Sequence, residues 1–145
     1  MTAHVLLVED EINMAKTQAK ILQRKGYLVD TAGNGREALR LLEETAFDLV
    51  ITDLKMPVMD GMQLLREMHA KERGCLVIVL TGHGTIESAV EAMKCGAVDY
   101  LTKPCNPDEL LIKVDKLLET KRLREEIAQL RREVRAYKKF GELIG

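Results

Sequence analysis

Leu49-Val50-Ile51-Thr52-Asp53-Leu54-Lys55-Met56-Pro57-Val58-Met59-Asp60-Gly61 carries an apolar run into a carboxylate and then into a turn. A short unbroken apolar run rich in branched residues reads as a strand buried on both faces, the signature of a parallel sheet. Pro57 and Asp60-Gly61 mark the loop after it. Three other runs end on polar residues in the same way: Val5 to Val8 on Glu9-Asp10, Leu76 to Leu80 on Thr81, and Asp99 to Leu101 just before Lys103. In an open parallel sheet the carboxyl ends of the strands share one edge, where ligands bind. Four scattered positions thereby become one candidate site.

Leu28 to Ala32 supplies a fifth run, and segments of helical period lie between the runs: Ile12 to Lys25 closed by Gly26, Arg36 to Thr45, Met62 to Lys71 closed by Gly74, Ile86 to Cys95 closed by Gly96, and Asn106 onward. Glycine just past a last turn is a common helix stop. Alternating strands and helices with right-handed crossovers give an α/β doubly wound, five-stranded parallel sheet. The flavodoxin-like strand order 2-1-3-4-5 fits this size. It sets the first run beside the third, so that Glu9-Asp10 faces Asp53, with Thr81 and Lys103 on the other side.

The chain has 145 residues and a formal net charge of -1, which suits one domain with a short appendage. Residues 121–145 carry 8 basic and 4 acidic side chains, whereas residues 1–120 carry 14 and 19, so the tail differs in kind from the body. No apolar stretch approaches the ~20 residues needed to cross a bilayer, and Met1-Thr2-Ala3-His4 leads straight into the first run. A cytoplasmic protein without membrane contact is expected. Cys75, Cys95 and Cys105 are odd in number and lack metal-type spacing, so reduced thiols are expected.

Three carboxylates converging at one edge repel each other and call for a cation, a hard divalent ion with oxygen ligands. Mg²⁺ suits a site with few carboxylates, because it keeps waters and shares a phosphate with them. Taken alone, Glu9-Asp10 also fits acids that merely favour a helix N-terminus. Lys103 adds an ammonium beside metal and carboxylate, a set that can hold a phosphoryl group, and Thr81 adds a hydroxyl donor. Asp53 is the candidate nucleophile, since carboxylate attack gives an acyl phosphate. No histidine joins this set. His4, His69 and His83 read as surface residues, with His83 nearest the crevice.

These residues carry a resemblance. Val-Glu-Asp at residues 8–10, Asp-Leu-Lys-Met-Pro-Val-Met-Asp-Gly from Asp53, Leu-Thr-Gly-His-Gly around Thr81 and Asp-Tyr-Leu-Thr-Lys-Pro through Lys103 resemble, in order, the receiver domain of two-component response regulators, the CheY-like fold. The resemblance spans about residues 3–120. It implies that Asp53 accepts a phosphoryl group from a sensor histidine kinase, with Mg²⁺ held by Asp10, Asp53 and the backbone carbonyl of Lys55, and with Glu9 acting through water. It also implies a cis bond between Lys103 and Pro104, and a switch pair of Thr81 and Tyr100, whose hydroxyl and ring move together on phosphorylation. Cys105 departs from the Phe that such relatives often carry after Lys-Pro, which bears on local packing.

After Asn106-Pro107 the helical pattern runs to about Phe140, too long for a helix that only closes a small domain. Leu110, Val114 and Leu117 form one stripe. Leu123, Ile127, Leu130, Val134 and Tyr137 form another, turned from the first by about 120°. One face is expected to dock on the sheet and the other to meet a partner. With Leu123, Leu130 and Tyr137 at d, the β-branched Ile127 and Val134 fall at a, the choice of parallel two-stranded coils. Glu126 would then face Arg131 of a second chain, and Glu133 its Lys138. Charges of alternating sign and the lack of a helix-turn-helix argue against direct DNA binding.

Arg-Leu-Arg-Glu-Glu-Ile at residues 122–127 and the final Phe-Gly-Glu-Leu-Ile-Gly resemble the linker into the AAA+ ATPase domain of NtrC-type, sigma-54-dependent activators. No GxxxxGK[ST] loop is present. This implies a receiver at residues 1–120, a coiled-coil dimerisation or linker helix at 121–140, and the start of an AAA+ domain at 141–145. Phosphorylation would then switch dimer geometry to control a downstream ATPase and DNA-binding activator that works with sigma-54 RNA polymerase. The alternative is a stand-alone signalling or phosphorelay receiver without transcription output. A turnover phosphatase of the haloacid-dehalogenase type would need a second Asp two residues after the nucleophile, where Lys55 stands. A flavin or nucleotide module would need Gly, Ser or Thr after the first run, where Glu9-Asp10-Glu11 stands. A switch that labels itself and slowly loses the label, not a turnover enzyme, is therefore expected.

Overall fold

A computed structural model describes residues 2–56, 58–70, 75–82 and 86–144, with the side chains of Ile86 and Ile144 outside the description. Met1, Pro57, Lys71, Gly74, His83, Gly84 and Gly145, invoked above, lie outside the described residues.

The elements alternate as β1 (His4–Val8), α1 (Ile12–Arg24), β2 (Leu28–Ala32), α2 (Gly35–Glu44), β3 (Leu49–Asp53), α3 (Gly61–Ala70), β4 (Leu76–Thr81), α4 (Ile86–Lys94), β5 (Asp99–Thr102) and α5 (Pro107–Ile144). All strands pair in parallel in the order β2-β1-β3-β4-β5. The expected topology and strand order are those observed. α5 extends to Ile144, past the Phe140 read from the pattern, because Gly141 costs a helix only about 1 kcal/mol and Glu142, Leu143 and Ile144 follow it.

Burial follows position in the sheet. Every residue of β3 is buried, as are Val5–Val8 of β1 and Val77–Thr81 of β4. β2 corrects the reading of five equally buried strands: it lies at the edge, only Ala32 is buried, and Leu28 is 56% exposed. An edge strand is paired on one side only, so Val29 and Thr31 need not pack as central residues do. β5, at the other edge, buries only Leu101.

α1 ends where Gly26 takes φ +94°, and α4 ends before Gly96 at φ +111°, a region that favours glycine. α2 starts instead on a side-chain cap: Asn34 Oδ1 accepts from the Glu37 amide at 2.9 Å, and Glu37 Oε2 accepts from the Gly33 amide at 3.0 Å. That is a variant of the capping box, with the returning carboxylate one residue earlier.

The chain divides into two compact units, residues 1–112 and 113–145. The first holds the sheet and the core, including Leu6, Val8, Val50, Leu64, Val77 and Val79. In the second, Val114 and Leu118 are buried. Leu118 thus replaces Leu117, which is half-buried, in the stripe read from sequence; at about 100° per residue, positions 110, 114 and 118 advance by only about 40° per step.

Candidate functional site

Register decides which strand-end residues meet. Val8 pairs with Thr52, Asp53 with Leu80, and Thr81 with Thr102, so the four strand ends finish level. The residues next along the chain, Glu9 after β1 and Lys103 after β5, therefore reach the same crevice as Asp53.

Glu9, Asp10 and Asp53 each place a carboxylate oxygen within 4.8 Å of the others. Glu9 and Asp53 are buried and Asp10 is exposed. Lys103 Nζ donates to Asp53 Oδ2 at 2.5 Å and to Glu9 Oε2 at 3.2 Å, and so ties both buried carboxylates to one cation. Sequence reasoning brought Lys103 to Asp53 but did not foresee its bond to Glu9, because side-chain reach cannot be read from spacing. The Lys103–Pro104 bond is cis.

Burial raises the Glu9 carboxyl above its usual 4.5, against the hydrogen bond and charge of Lys103, with Asp53 and Asp10 adding repulsion. Burial acts against the charge of Lys103 too, but its bonds to Asp53 and Glu9 win and hold the ammonium above its usual 10.5. By count, the single ammonium of Lys103 stands against the three carboxylates of Glu9, Asp10 and Asp53. An all-oxygen donor set with excess negative charge fits a hard divalent cation such as Mg²⁺. Helix capping does not explain the acids, since the N-cap of α1 is Glu11, which makes no side-chain cap bond, and Glu9 is buried with Lys103.

Thr81 is buried and its hydroxyl donates to the Leu101 carbonyl at 3.4 Å, toward β5. Tyr100 is 42% exposed and lines a shallow apolar cavity of about 350 Å³ with Ala89, Val90, Met93 and Lys94. The Lys55 amide approaches Asp53 Oδ1 at 3.4 Å, and the Lys55 side chain is exposed.

Sequence reasoning missed the residues that shape the loop after Asp53. The Gly61 amide donates to the Leu54 carbonyl at 2.9 Å, and a Cβ on Gly61 would stand 2.3 Å from the Asp53 carbonyl oxygen. Asp60 and Gln63 cap each other's amides at 2.9 and 3.2 Å. The Asp-Gly pair was read only as a turn; the spacing Asp60-x-x-Gln63 was the available signal.

Other sequence readings resolve simply. Cys75, Cys95 and Cys105 are thiols, and burial, then Glu109, raises Cys105. His4 is half-buried, not a surface residue: it opens β1, and its Nε2 lies 2.8 Å from Asp30 Oδ2. His69 is exposed. Among the described residues no helix is long and apolar enough to cross a membrane. Along α5, Leu123, Ile127, Leu130, Val134 and Tyr137 are 44 to 79% exposed. Arg122 pairs within its own helix with Glu119 and Glu126 at 2.7 and 3.3 Å.

The chain is similar to known proteins. Regulatory protein AtoC of Escherichia coli is 36% identical over 99% of the chain, which covers 32% of AtoC. Transcriptional regulatory protein GlrR of the same species is 45% identical over 81% of the chain and 26% of its own length. The chain thus spans about a third or less of these curated relatives. Among solved structures, the receiver domain of a putative Luxo repressor protein from Vibrio parahaemolyticus superposes with a TM-score of 0.84 at 31% identity, covering 88% of this chain and 98% of that one. NtrX from Brucella abortus gives 0.83 at 34% identity, over 90% of this chain and 30% of its own. The model of the response regulator receiver domain matches residues 5–115, and the chain belongs to that family.

Proposed function

We propose that Asp53 is the phosphoacceptor of a two-component switch, and that a sensor histidine kinase is the donor. The observation that carries the proposal is the joint hold of Lys103 on Asp53 and Glu9 beside Asp10. A carboxylate oxygen of Asp53 attacks phosphorus, the donor's P–N bond breaks, and its electron pair leaves with the histidine nitrogen. The product is an acyl phosphate on Asp53. Lys103 is placed to shift from the carboxylate to a phosphoryl oxygen, where it stabilises the charge of transfer. The Asp10 and Asp53 carboxylates and the Lys55 carbonyl would hold Mg²⁺, with Glu9 acting through water. The ion supplies positive charge to the transferring phosphoryl oxygens.

Thr81 and Tyr100 are the proposed switch pair. The Thr81 hydroxyl, now on the Leu101 carbonyl, would turn to the phosphoryl group, and the exposed Tyr100 ring would move inward. Leu123, Ile127, Leu130, Val134 and Tyr137 are the proposed homodimer seam, supported by their heptad spacing and exposure. Residues 1–120 act as receiver and 121–140 as dimerisation linker, with 141–145 entering an AAA+ domain in an NtrC-type activator that works with sigma-54 RNA polymerase on DNA. The relatives named as regulators support this class. We place the protein in the cytoplasm.

The site stores a phosphoryl group more than it turns one over, because Lys55 stands where a hydrolase of this kind keeps its acid/base carboxylate. Donor consumption over time tests this. One equivalent consumed quickly, then slow release of phosphate, is the expected course; sustained rapid consumption would make the chain a phosphatase.

A further inference from the structure

The loop between Asp53 and Gly61 is fixed at its ends by the Gly61 amide on the Leu54 carbonyl and by the Asp60–Gln63 cap. Its tip is costly. Val58 has φ 70° and is 69% exposed, so a β-branched residue holds a left-handed conformation without burial of its own side chain. Such a conformation is disfavoured for a β-branched residue and persists only where its surroundings impose it.

What meets the tip is α2. The Gly35 amide donates to the Met59 carbonyl at 3.0 Å. A Cβ on Gly35 would fall 2.7 Å from Met59 Cγ, 2.8 Å from its carbonyl oxygen and 3.0 Å from its Cβ. Gly35 is thus demanded by room. As the first residue of α2 it has an amide with no acceptor inside the helix, and here that amide is spent on the loop. Asn34 and Glu37 lock the helix start and so fix where the amide points.

We propose that Gly35 is a positioning residue for the loop after Asp53, holding Met59 and, through Asp60 and Gly61, the Asp53–Leu54 backbone at the crevice. This rests on the reading of Asp53 as an Mg²⁺-dependent phosphoacceptor. A methyl at residue 35 displaces the Met59 carbonyl, and Asp60 and Gly61 carry the displacement to the Asp53–Leu54 backbone, on which the Gly61 amide is fastened. Outer residues that orient metal ligands commonly change affinity by about 10–100-fold when altered.

The test is Mg²⁺ titration of the unphosphorylated protein by calorimetry, with thermal stability measured beside it without metal. Gly35→Ala is expected to raise the Mg²⁺ Kd about tenfold. Ala38→Gly, which loosens the same helix at a buried site without touching Met59, is expected to lower the melting temperature and keep the wild-type Kd. An unchanged Kd in Gly35→Ala, or equal weakening in Ala38→Gly, overturns the inference. Should Gly35→Ala fail to fold, Met59→Ala keeps the carbonyl acceptor and removes the side-chain half of the contact. A raised Kd there supports the inference, and an unchanged Kd overturns it. Asp53→Asn separates the two levels: wild-type Mg²⁺ binding by that variant would overturn the reading of the site itself, whereas weakened binding there with an unchanged Gly35→Ala overturns only the role of Gly35.

Discussion

In the crevice the buried side chains are polar and have partners, whereas along residues 123–137 a row of apolar side chains stands exposed between charged ones that pair within the helix. Glu9, Asp53 and Thr81 are all under 8% exposed, and each reaches Lys103 or a backbone carbonyl. Leu123 through Tyr137 run from 44 to 79% exposed at a spacing that a second helix could cover. Buried charge persists only when it is paired, and in the first region Lys103 supplies that pairing from within the one chain. Exposed apolar stripes gain nothing from water, which is what supports the proposed dimer seam in the second region.

The largest effect that could break this contrast is all-or-none. Ile127→Arg is expected to convert a dimer of the intact chain to monomer in sedimentation, as is a chain ending at Glu119. Equal monomer masses for the intact and shortened chains would remove the seam from the account.

Next in size is the crevice without its cation. Lys103→Met leaves two buried carboxylates unpaired, a loss of about 3 kcal/mol at neutral pH without metal, read by denaturant unfolding. The pH dependence has a definite sign. The ammonium has a folded pKa above its unfolded 10.5, so its contribution is fully present below pH 10.5 and is lost as pH rises through the folded value. The wild-type and variant curves should therefore converge at strongly alkaline pH. They should also approach each other as pH falls toward 4.5, because Glu9 takes up its proton above that value and needs Lys103 less.

A comparable gain should come from the metal. Mg²⁺ at a hundred times its Kd should add about 2.7 kcal/mol to the stability of the wild-type chain. Asp53→Asn should gain far less. A wild-type melting temperature indifferent to Mg²⁺ would count against the crevice as a cation site. The smallest effect belongs to the helix surface. Arg66→Ala, which removes the exposed pair with Glu91 at 3.0 Å, should change stability by no more than about 1 kcal/mol, and less in high salt.

These effects follow how legible each region was. The sheet could be read because buried parallel strands are continuous apolar runs, and its strand order put Glu9, Asp10, Asp53, Thr81 and Lys103 at one edge. Edge position was legible but unread: Asp30 and Thr31 interrupt Leu28–Ala32 where the central runs stay apolar, and the pairing shows β2 open on one side. The double hold of Lys103 was hidden because it depends on side-chain reach across the crevice. The roles of Gly35 and Gly61 were hidden for a simpler reason. A glycine chosen for room, with Met59 or the Asp53 carbonyl in place of its Cβ, looks in sequence like one chosen for a turn. In α5 the period gave the stripes but not the choice between Leu117 and Leu118, which differ by about 100° around the helix.

The central claim is that the crevice stores one phosphoryl group on Asp53, and the mass of the intact chain after incubation with a small phosphodonor and Mg²⁺ tests it most directly. One phosphoryl group per chain is expected, mapping to the peptide that contains Asp53 and missing both in Asp53→Asn and without Mg²⁺. Full labelling of Asp53→Asn, or a phosphoryl group mapped to any other residue, would contradict it.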